Sequence, residues 1–300
     1  MTQNFNRRRF LSISAAFGLA ATSVRADVIR WRGRALGANT TMILTGQSKA
    51  EAQVVIDAVE QELIRLERIF SLYLPGSEIA RLNATGRLRA PSADLLNLLS
   101  LSDAMHQATA GAFDPTVQPV WRALATGGDL VQARKAVGWR HVRFDTQAVR
   151  LTRPGMGLTL NGIAQGYVTD RIAALLRARG LDNILIDMGE IAAIGANPDG
   201  RDWRAGIRHP DGQIVQHVAL RDRALATSAP FGPVLSTVDN SGHIIDPSAT
   251  FAAPKQTLVS VSAPLAAVAD GLSTGCCLLD QDEARSAVAA FESAELERIV

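Results

Sequence analysis

Histidine, tyrosine and cysteine are scarce in this 300-residue chain, with five, two and two copies. The cysteines, Cys276 and Cys277, are adjacent, a spacing that rarely closes on itself as a disulfide. They lie in an apolar run and read as small core residues, and no CxxC or Cys/His spacing offers a zinc site. A disulfide framework and a zinc module are both excluded. Aromatics make up 5% of the residues and show no base-stacking pattern. No basic run occurs beyond the first 26 residues, so a nucleic-acid partner is not expected. Three motifs are missing as well: a GxGxxG after a first strand, a GxxxxGK[ST] loop and a GxSxG elbow. Their absence leaves no support for a dinucleotide-binding domain, a P-loop ATPase or a serine hydrolase. No internal repeat, low-complexity tract or long linker divides the chain.

The N-terminal stretch is the first positive signal. Residues 1–26 combine Arg7, Arg8 and Arg9, an apolar stretch from Phe10 to about Val24, and a small-residue ending Val24-x-Ala26. That stretch is too short and too rich in Ala and Ser for a membrane span, and it reads as a signal peptide. Arg7-Arg8-x-Phe10-Leu11 matches the twin-arginine export signal, which implies a periplasmic location. Cleavage after Ala26 would leave residues 27–300 as one domain, and an uncleaved leader would instead tether it to the membrane. The formal charge of +2 comes from 31 basic and 29 acidic residues. Four of the arginines lie in the leader, so the remainder is nearly balanced, and the high pI says little about partners.

The rest alternates strand-like and helix-like patterns without a regular βαβ rhythm. Strands are expected in VIRWRGRALGANTTMILTG, NILIDMGEIAAIG, DWRAGIRHP, HVALRDRALATS and KQTLVSVSA. NILIDMGEIAAIG reads as one buried strand ending in a turn. Val55, Ala58, Val59, Leu63, Leu66 and Phe70 repeat at helical spacing. Further helices are expected from Pro91-Ser92 to Gly111, from Gly166 to Gly180, and twice near the C-terminus. The fold class is α+β: one large domain with mixed sheets and packed helices.

Four stretches look built for chemistry, although each has a plain structural reading. In SLYLPGSEIARLN, Tyr73 ends a long helix before a Pro-Gly turn. In GAFDPTV, Asp114 precedes Pro115 at a tight corner. TLNGIAQGYVTD reads as an apolar strand turning through Gly162 and Gly166 into a helix, with carbonyls and amides free to face a metal or phosphate. The last is HIIDP with its sequel ADGLSTG. On a helix, Asp270 and Thr274 are i and i+4, so a carboxylate and a hydroxyl share one face with Ser273 nearby. Such oxygens suit Mg²⁺, and Asp270 reads as a helix-surface carboxylate of little weight in stability. A helix-turn aspartate followed by ordinary helix hydroxyls fits the same letters.

In this order and spacing the stretches resemble the ApbE family of FAD:protein FMN transferases. Seven segments carry the resemblance: ALGANTTM, SLYLPGSEIARLN, GAFDPTVQPV, NGIAQGYVTD, ILIDMGEIAAIG, HIIDP and ADGLSTG, between about Arg34 and Leu279. The resemblance implies transfer of FMN from FAD to a Ser or Thr hydroxyl of an exported acceptor protein, with Mg²⁺ required and AMP released. It places FAD against Leu36, Tyr73, Ala112, Phe113, Asp114, Thr159, Gln165 and Ile244 or Ile245. It places Mg²⁺ on the Gly162 carbonyl, Asp270 and Thr274, and His243 as general base beside the transferred phosphoryl group. NGIAQGY with DMGE is similar to the branch associated with nitrous-oxide respiration, which implies an acceptor in that system. Several positions depart from the family pattern: Leu36 for Met, Ala38 for Thr, Thr159 for Asp, Gln165 for Lys or Glu, Gly189-Glu190 for Gly-Gly, and Thr250 for Gly. These bear on FAD contacts more than on the metal ligands. A periplasmic FAD-binding protein without turnover and an Mg²⁺-dependent FAD hydrolase are the alternatives.

Overall fold

A computed structural model describes residues 28–231, 234–236, 241–248 and 252–300. The leader, Ala26 and Thr250 lie outside the described residues. The chain begins with β1 (Val28–Ala35), β2 (Ala38–Thr45), α1 (Lys49–Phe70), α2 (Glu78–Thr85), β3 (Arg87–Arg89) and α3 (Ala93–Ala108). There follow α4 (Gln118–Thr126), α5 (Leu130–Lys135), β4 (Val142–Phe144), β5 (Ala148–Leu151), α6 (Ala164–Arg177), β6 (Ile184–Asp187) and β7 (Ile191–Ile194). The remainder forms β8 (Trp203–Arg208), β9 (Ile214–Leu220), β10 (Arg223–Ser228), β11 (Val234–Ser236), β12 (Ser241–Gly242), β13 (Val259–Ala263), α7 (Ala266–Cys276), α8 (Gln281–Ala289) and β14 (Glu295–Ile299).

A seven-stranded antiparallel sheet, in the order β1-β2-β6-β7-β10-β13-β14, carries the architecture. Its central strands carry apolar residues on both faces because both faces are covered, and β7 is apolar at every position. Ile184 and Ile186 of β6 join a large core with Ala192, Ile194, Ala224 and Ala226 on the helix side. Leu185, Ile191, Ala193 and Leu225 point the other way, against Trp203, Ile207 and Leu220 of the β8–β9 hairpin. The α+β class expected from the sequence is what the chain forms.

Three sequence expectations change here. NILIDMGEIAAIG makes two strands, because Gly189 (φ 98°) reverses the chain between Asp187 and Ile191. TLNGIAQG is not a strand. Asn83 takes the place of a neighbouring strand there: its side chain accepts from Leu158 N at 2.7 Å and donates to Leu158 O at 2.8 Å. α6 also opens two residues earlier than expected, at Ala164, with Gly166 inside its first turn.

Helix α7 is buried along nearly its whole length. Its fit depends on the absence of side-chain bulk. A Cβ on Gly166 of α6 would overlap the Ala266 carbonyl, and one on Gly275 would lie 2.9 Å from Thr109 Cγ2. Both cysteines are fully buried, as expected of core residues. The N-terminus of α7 lacks a cap from its own segment. Asp170 of α6 supplies one, accepting from Ala266 N at 2.7 Å and Ala267 N at 2.9 Å. Burial pushes the Asp170 carboxyl up to about 6, with the two amide bonds working against the rise.

Replacing Asp170 with Ala strips that cap from outside the helix it serves. Asp170→Ala should destabilise the fold by about 1–2 kcal/mol. Urea unfolding followed by circular dichroism measures it, and an unchanged midpoint would show that the α6–α7 junction does not need the cap.

Candidate active site

A cleft of about 230 Å³ opens where the ends of β6 and β10, the start of α6 and the middle of α7 meet. It gathers Ala112, Phe113, Asp114, Thr159, Gly162, Gln165, His243, Ile244, Asp270 and Thr274 from four separate parts of the sequence. Leu36 and Tyr73 are not among its lining residues. Leu36 sits in the two-residue β1–β2 turn with φ at 48°, unusual for a residue with a Cβ, and its N–H donates to Glu67 Oε1 at 2.9 Å. Tyr73 follows the end of α1 by three residues and is 69% exposed.

Several lining side chains are committed to holding the walls. Asp114 Oδ1 accepts from Thr116 N at 2.8 Å and Thr116 Oγ1 at 2.6 Å, and Oδ2 accepts from Trp139 N at 3.2 Å. Burial raises its carboxyl above the usual range, against the pull of those bonds. Gln165 Nε2 donates to Met188 O at 2.9 Å and ties the start of α6 to the β6–β7 turn. Thr159 N donates to Pro115 O at 2.8 Å. Ligand contact at these positions would fall largely to the main chain and the remaining side-chain surface.

His243 enters the cleft because its neighbours are anchored. Ile244 packs in the main core, and Ile245 packs against a separate small cluster around Val120, Ala123 and Ala133. The His243 N–H donates to Pro230 O at 3.1 Å. Asp246, its companion in HIIDP, shapes the loop by accepting from Ser248 N at 2.8 Å and Ala252 N at 2.7 Å.

Gly162, Thr274 and Asp270 line the same cleft. A Cβ on Gly162 would stand 2.9 Å from Thr274 Cγ2 and 3.1 Å from Oγ1, so this main chain rests directly on the threonine. Asp270 is only 4% exposed and its Oδ2 accepts from Gly166 N at 3.0 Å. The expectation of a surface carboxylate is therefore corrected. α7 is covered on all sides, so the side chain reaches the cleft from within the core. An oxygen-only set with one carboxylate fits a hard divalent cation such as Mg²⁺. Among the described residues, no three His, Cys, Asp or Glu side chains group to hold a metal, so any cation here would also draw on hydroxyl and carbonyl oxygen.

Sequence reading gave no role to five polar members of the cleft, Asn39, Asn161, Asp187, Thr227 and Ser228, and met Glu190 only as a departure from the family pattern. Asp187 had a usable signal, a carboxylate closing the apolar run ILID. Its Oδ1 accepts from Gly189 N at 3.2 Å, and burial pushes the carboxyl up to about 6. Ser228 Oγ lies 2.8 Å from Ser273 Oγ and 3.3 Å from Thr274 Oγ1. Among the described lining residues there is no lysine or arginine, whereas Asp114, Asp187, Glu190 and Asp270 are all present.

A family model described as the ApbE family matches residues 36–298. The chain belongs to the ApbE family. A FAD:protein FMN transferase of Haemophilus influenzae is 26% identical, covering 91% of this chain and 87% of its own length. One of Treponema pallidum is 28% identical, covering 81% of this chain and 76% of its own length. Among solved structures, the ApbE protein of Thermotoga maritima superposes with a TM-score of 0.78 at 25% identity, covering 90% of this chain and 93% of its own. The flavin transferase ApbE of Vibrio cholerae does so at 0.77 and 25% identity, covering 88% and 91%. The single α+β domain is thus shared with ApbE structures.

Asp187 contributes to the pH response of this ApbE chain alongside Asp114 and Asp170, whose carboxyls burial also raises. Its native carboxyl holds a proton between about 4 and 6, where the unfolded one has lost it, so its contribution to stability falls as pH rises through that window. Asp187→Asn keeps an acceptor for Gly189 N and cannot ionise. It should flatten that decline and raise the melting temperature above pH 6, and melting curves at four pH values test it. A variant whose pH profile parallels the wild type removes Asp187 as a source.

Proposed function

We propose that this chain transfers FMN from FAD to a Ser or Thr hydroxyl of an exported acceptor protein and releases AMP. One observation carries the reading: Gly162, packed on Thr274, and the buried Asp270 line one cleft with His243. Family membership and relatives named FAD:protein FMN transferase support it.

The reaction exchanges a phosphoanhydride bond for a phosphoester. The acceptor oxygen bonds to the FMN phosphorus, the bond from that phosphorus to the oxygen bridging to AMP breaks, and AMP leaves with the electron pair. The hydroxyl proton must go to a base, and a neutral imidazole at His243 is suited to take it. Asp270, Thr274 and the Gly162 carbonyl would hold Mg²⁺. When bound, that ion supplies the positive charge that a diphosphate needs in a cleft lined by four carboxylic acids and, among the described residues, no lysine or arginine. The chain's own contribution is alignment: α7 fixes the ligand oxygens in a buried helix, and the Ala112–Asp114 corner and Ile244 wall the substrate.

The acceptor belongs to the same proposal. NGIAQGY and DMGE suggest an exported flavoprotein of nitrous-oxide respiration. Delivery to the periplasm would use the Arg7-Arg8 leader, cleaved after Ala26 or kept as a tether. Changing both arginines to Lys should hold a folded precursor in the cytoplasm, and undiminished periplasmic accumulation would argue for another route.

Incubation with FAD, Mg²⁺ and a candidate acceptor separates the possible activities. Covalent FMN on the acceptor supports transfer, AMP with free FMN indicates hydrolysis, and unchanged FAD indicates a binder. His243→Ala should lower the single-turnover rate by about two to four powers of ten with FAD affinity little changed and partial recovery at high pH. A lowered melting temperature with weakened FAD binding and no recovery would make this histidine structural.

A further inference from the structure

The small antiparallel sheet β3-β5-β4 turns one face away from the core. Its register sets Arg87 opposite Arg150 and Arg150 opposite Arg143. The alternate row, Leu88, Val149 and Phe144, packs inward. Arg87 and Arg143 are exposed, and the Arg150 side chain is 43% exposed. Like charges placed directly opposite one another destabilise a strand pair, so three arginines in file oppose the fold that carries them.

Little nearby offsets that charge. Among the described residues, the one ion pair on this row is Arg150 Nη1 with Asp145 Oδ2 at 3.7 Å. The other Asp145 oxygen already accepts from Gln147 N and Ala148 N. More cations continue the patch: Arg153 Nη2 lies 2.6 Å from His141 Nε2, and Arg140 Nε reaches the same nitrogen at 3.2 Å. The chain as a whole is nearly balanced, with 31 basic and 29 acidic residues, so this is a local concentration.

The segment just ahead of β4 is tied to the cleft wall. Trp139 N donates to Asp114 Oδ2, and Gly138 N donates to Thr116 Oγ1 at 2.7 Å, on the corner that forms one cleft wall. Arg143 follows Trp139 by four residues, a reach of at most about 14 Å. We propose that the Arg87–Arg150–Arg143 row docks an acidic segment of the acceptor polypeptide and so delivers its hydroxyl to the cleft. This rests on the FMN-transfer reading. An acidic polypeptide matches the row in charge and, as the acceptor, must also present its hydroxyl inside the cleft, whereas a flat anionic bilayer cannot enter a cleft of about 230 Å³.

Three labelled peptides test the row directly, each of about twenty residues with a central Thr flanked by Asp/Glu, by Gln or by Lys. They are titrated by fluorescence anisotropy into the full chain and into an Arg87→Gln/Arg143→Gln/Arg150→Gln variant, at about 50 and 300 mM salt. The acidic peptide should bind about tenfold more tightly than the Gln peptide at low salt, and the variant and high salt should each erase the difference. FAD affinity should stay the same in the variant, and its melting temperature should hold or rise because repulsion has been removed. Equal binding of acidic and Gln peptides overturns the proposal, as does a variant that keeps the preference. A variant that loses FAD binding or melts early makes the row structural. Pelleting with phosphatidylserine vesicles without acidic-peptide binding assigns the row to an anionic surface instead. Covalent FMN on a candidate acceptor incubated with FAD, Mg²⁺ and the wild-type chain, scored separately, reports on the transfer reading alone.

Discussion

The close approach of α6 to α7 is the constraint on which the rest depends. Gly166 leaves room for the Ala266 carbonyl, Asp170 caps the first amides of α7, and Asp270 returns the contact by accepting from Gly166 N. These contacts fix the rotation and height of one helix against the other. Everything chemical in the cleft inherits that setting, since Gly162 sits just ahead of α6 and Asp270 and Thr274 lie on α7. Small residues make such a seam possible: Gly271 and Gly275 let Met105, Thr109 and Phe113 pack equally close from α3 and the loop after it. Dense packing makes the arrangement stiff, and stiffness suits a reaction whose catalysis is mainly alignment.

The distribution of charge follows a second logic. The cleft carries carboxylic acids and, among the described residues, no lysine or arginine, although a flavin dinucleotide brings a diphosphate. On the proposed reading a cation would offset that repulsion, which would link substrate binding to metal binding. Arginine is instead displayed on the surface in the β3-β5-β4 row, where it is exposed and costly to neighbouring strands. Separating the two keeps basic side chains away from the phosphate and leaves them for an acidic macromolecule.

Much of the site was legible because its residues come in short local groups. The i, i+4 spacing of Asp270 and Thr274 follows from helical geometry alone, and Pro115 and the glycines marked the corners at Asp114 and Gly162. The alternating and continuous apolar runs gave away most strands of the large sheet. What stayed hidden depended on partners distant in sequence. Asn83 replaces a strand for Leu158, 75 residues away, and no local pattern announces that.

By itself the sequence determined the α+β class, the helix faces, the missing nucleotide motifs and the order of segments that marks the ApbE family. These depend on local propensity, side-chain periodicity and spacing, all of which are properties of neighbours along the chain. Only the tertiary structure decided that Asp270 is buried, that Asp187 and Glu190 face the same cleft, and that Leu36 and Tyr73 stand outside its lining. It also gathered Arg87, Arg143 and Arg150 into one row from a sequence with no basic run, because strand register, not spacing along the chain, sets which side chains lie side by side.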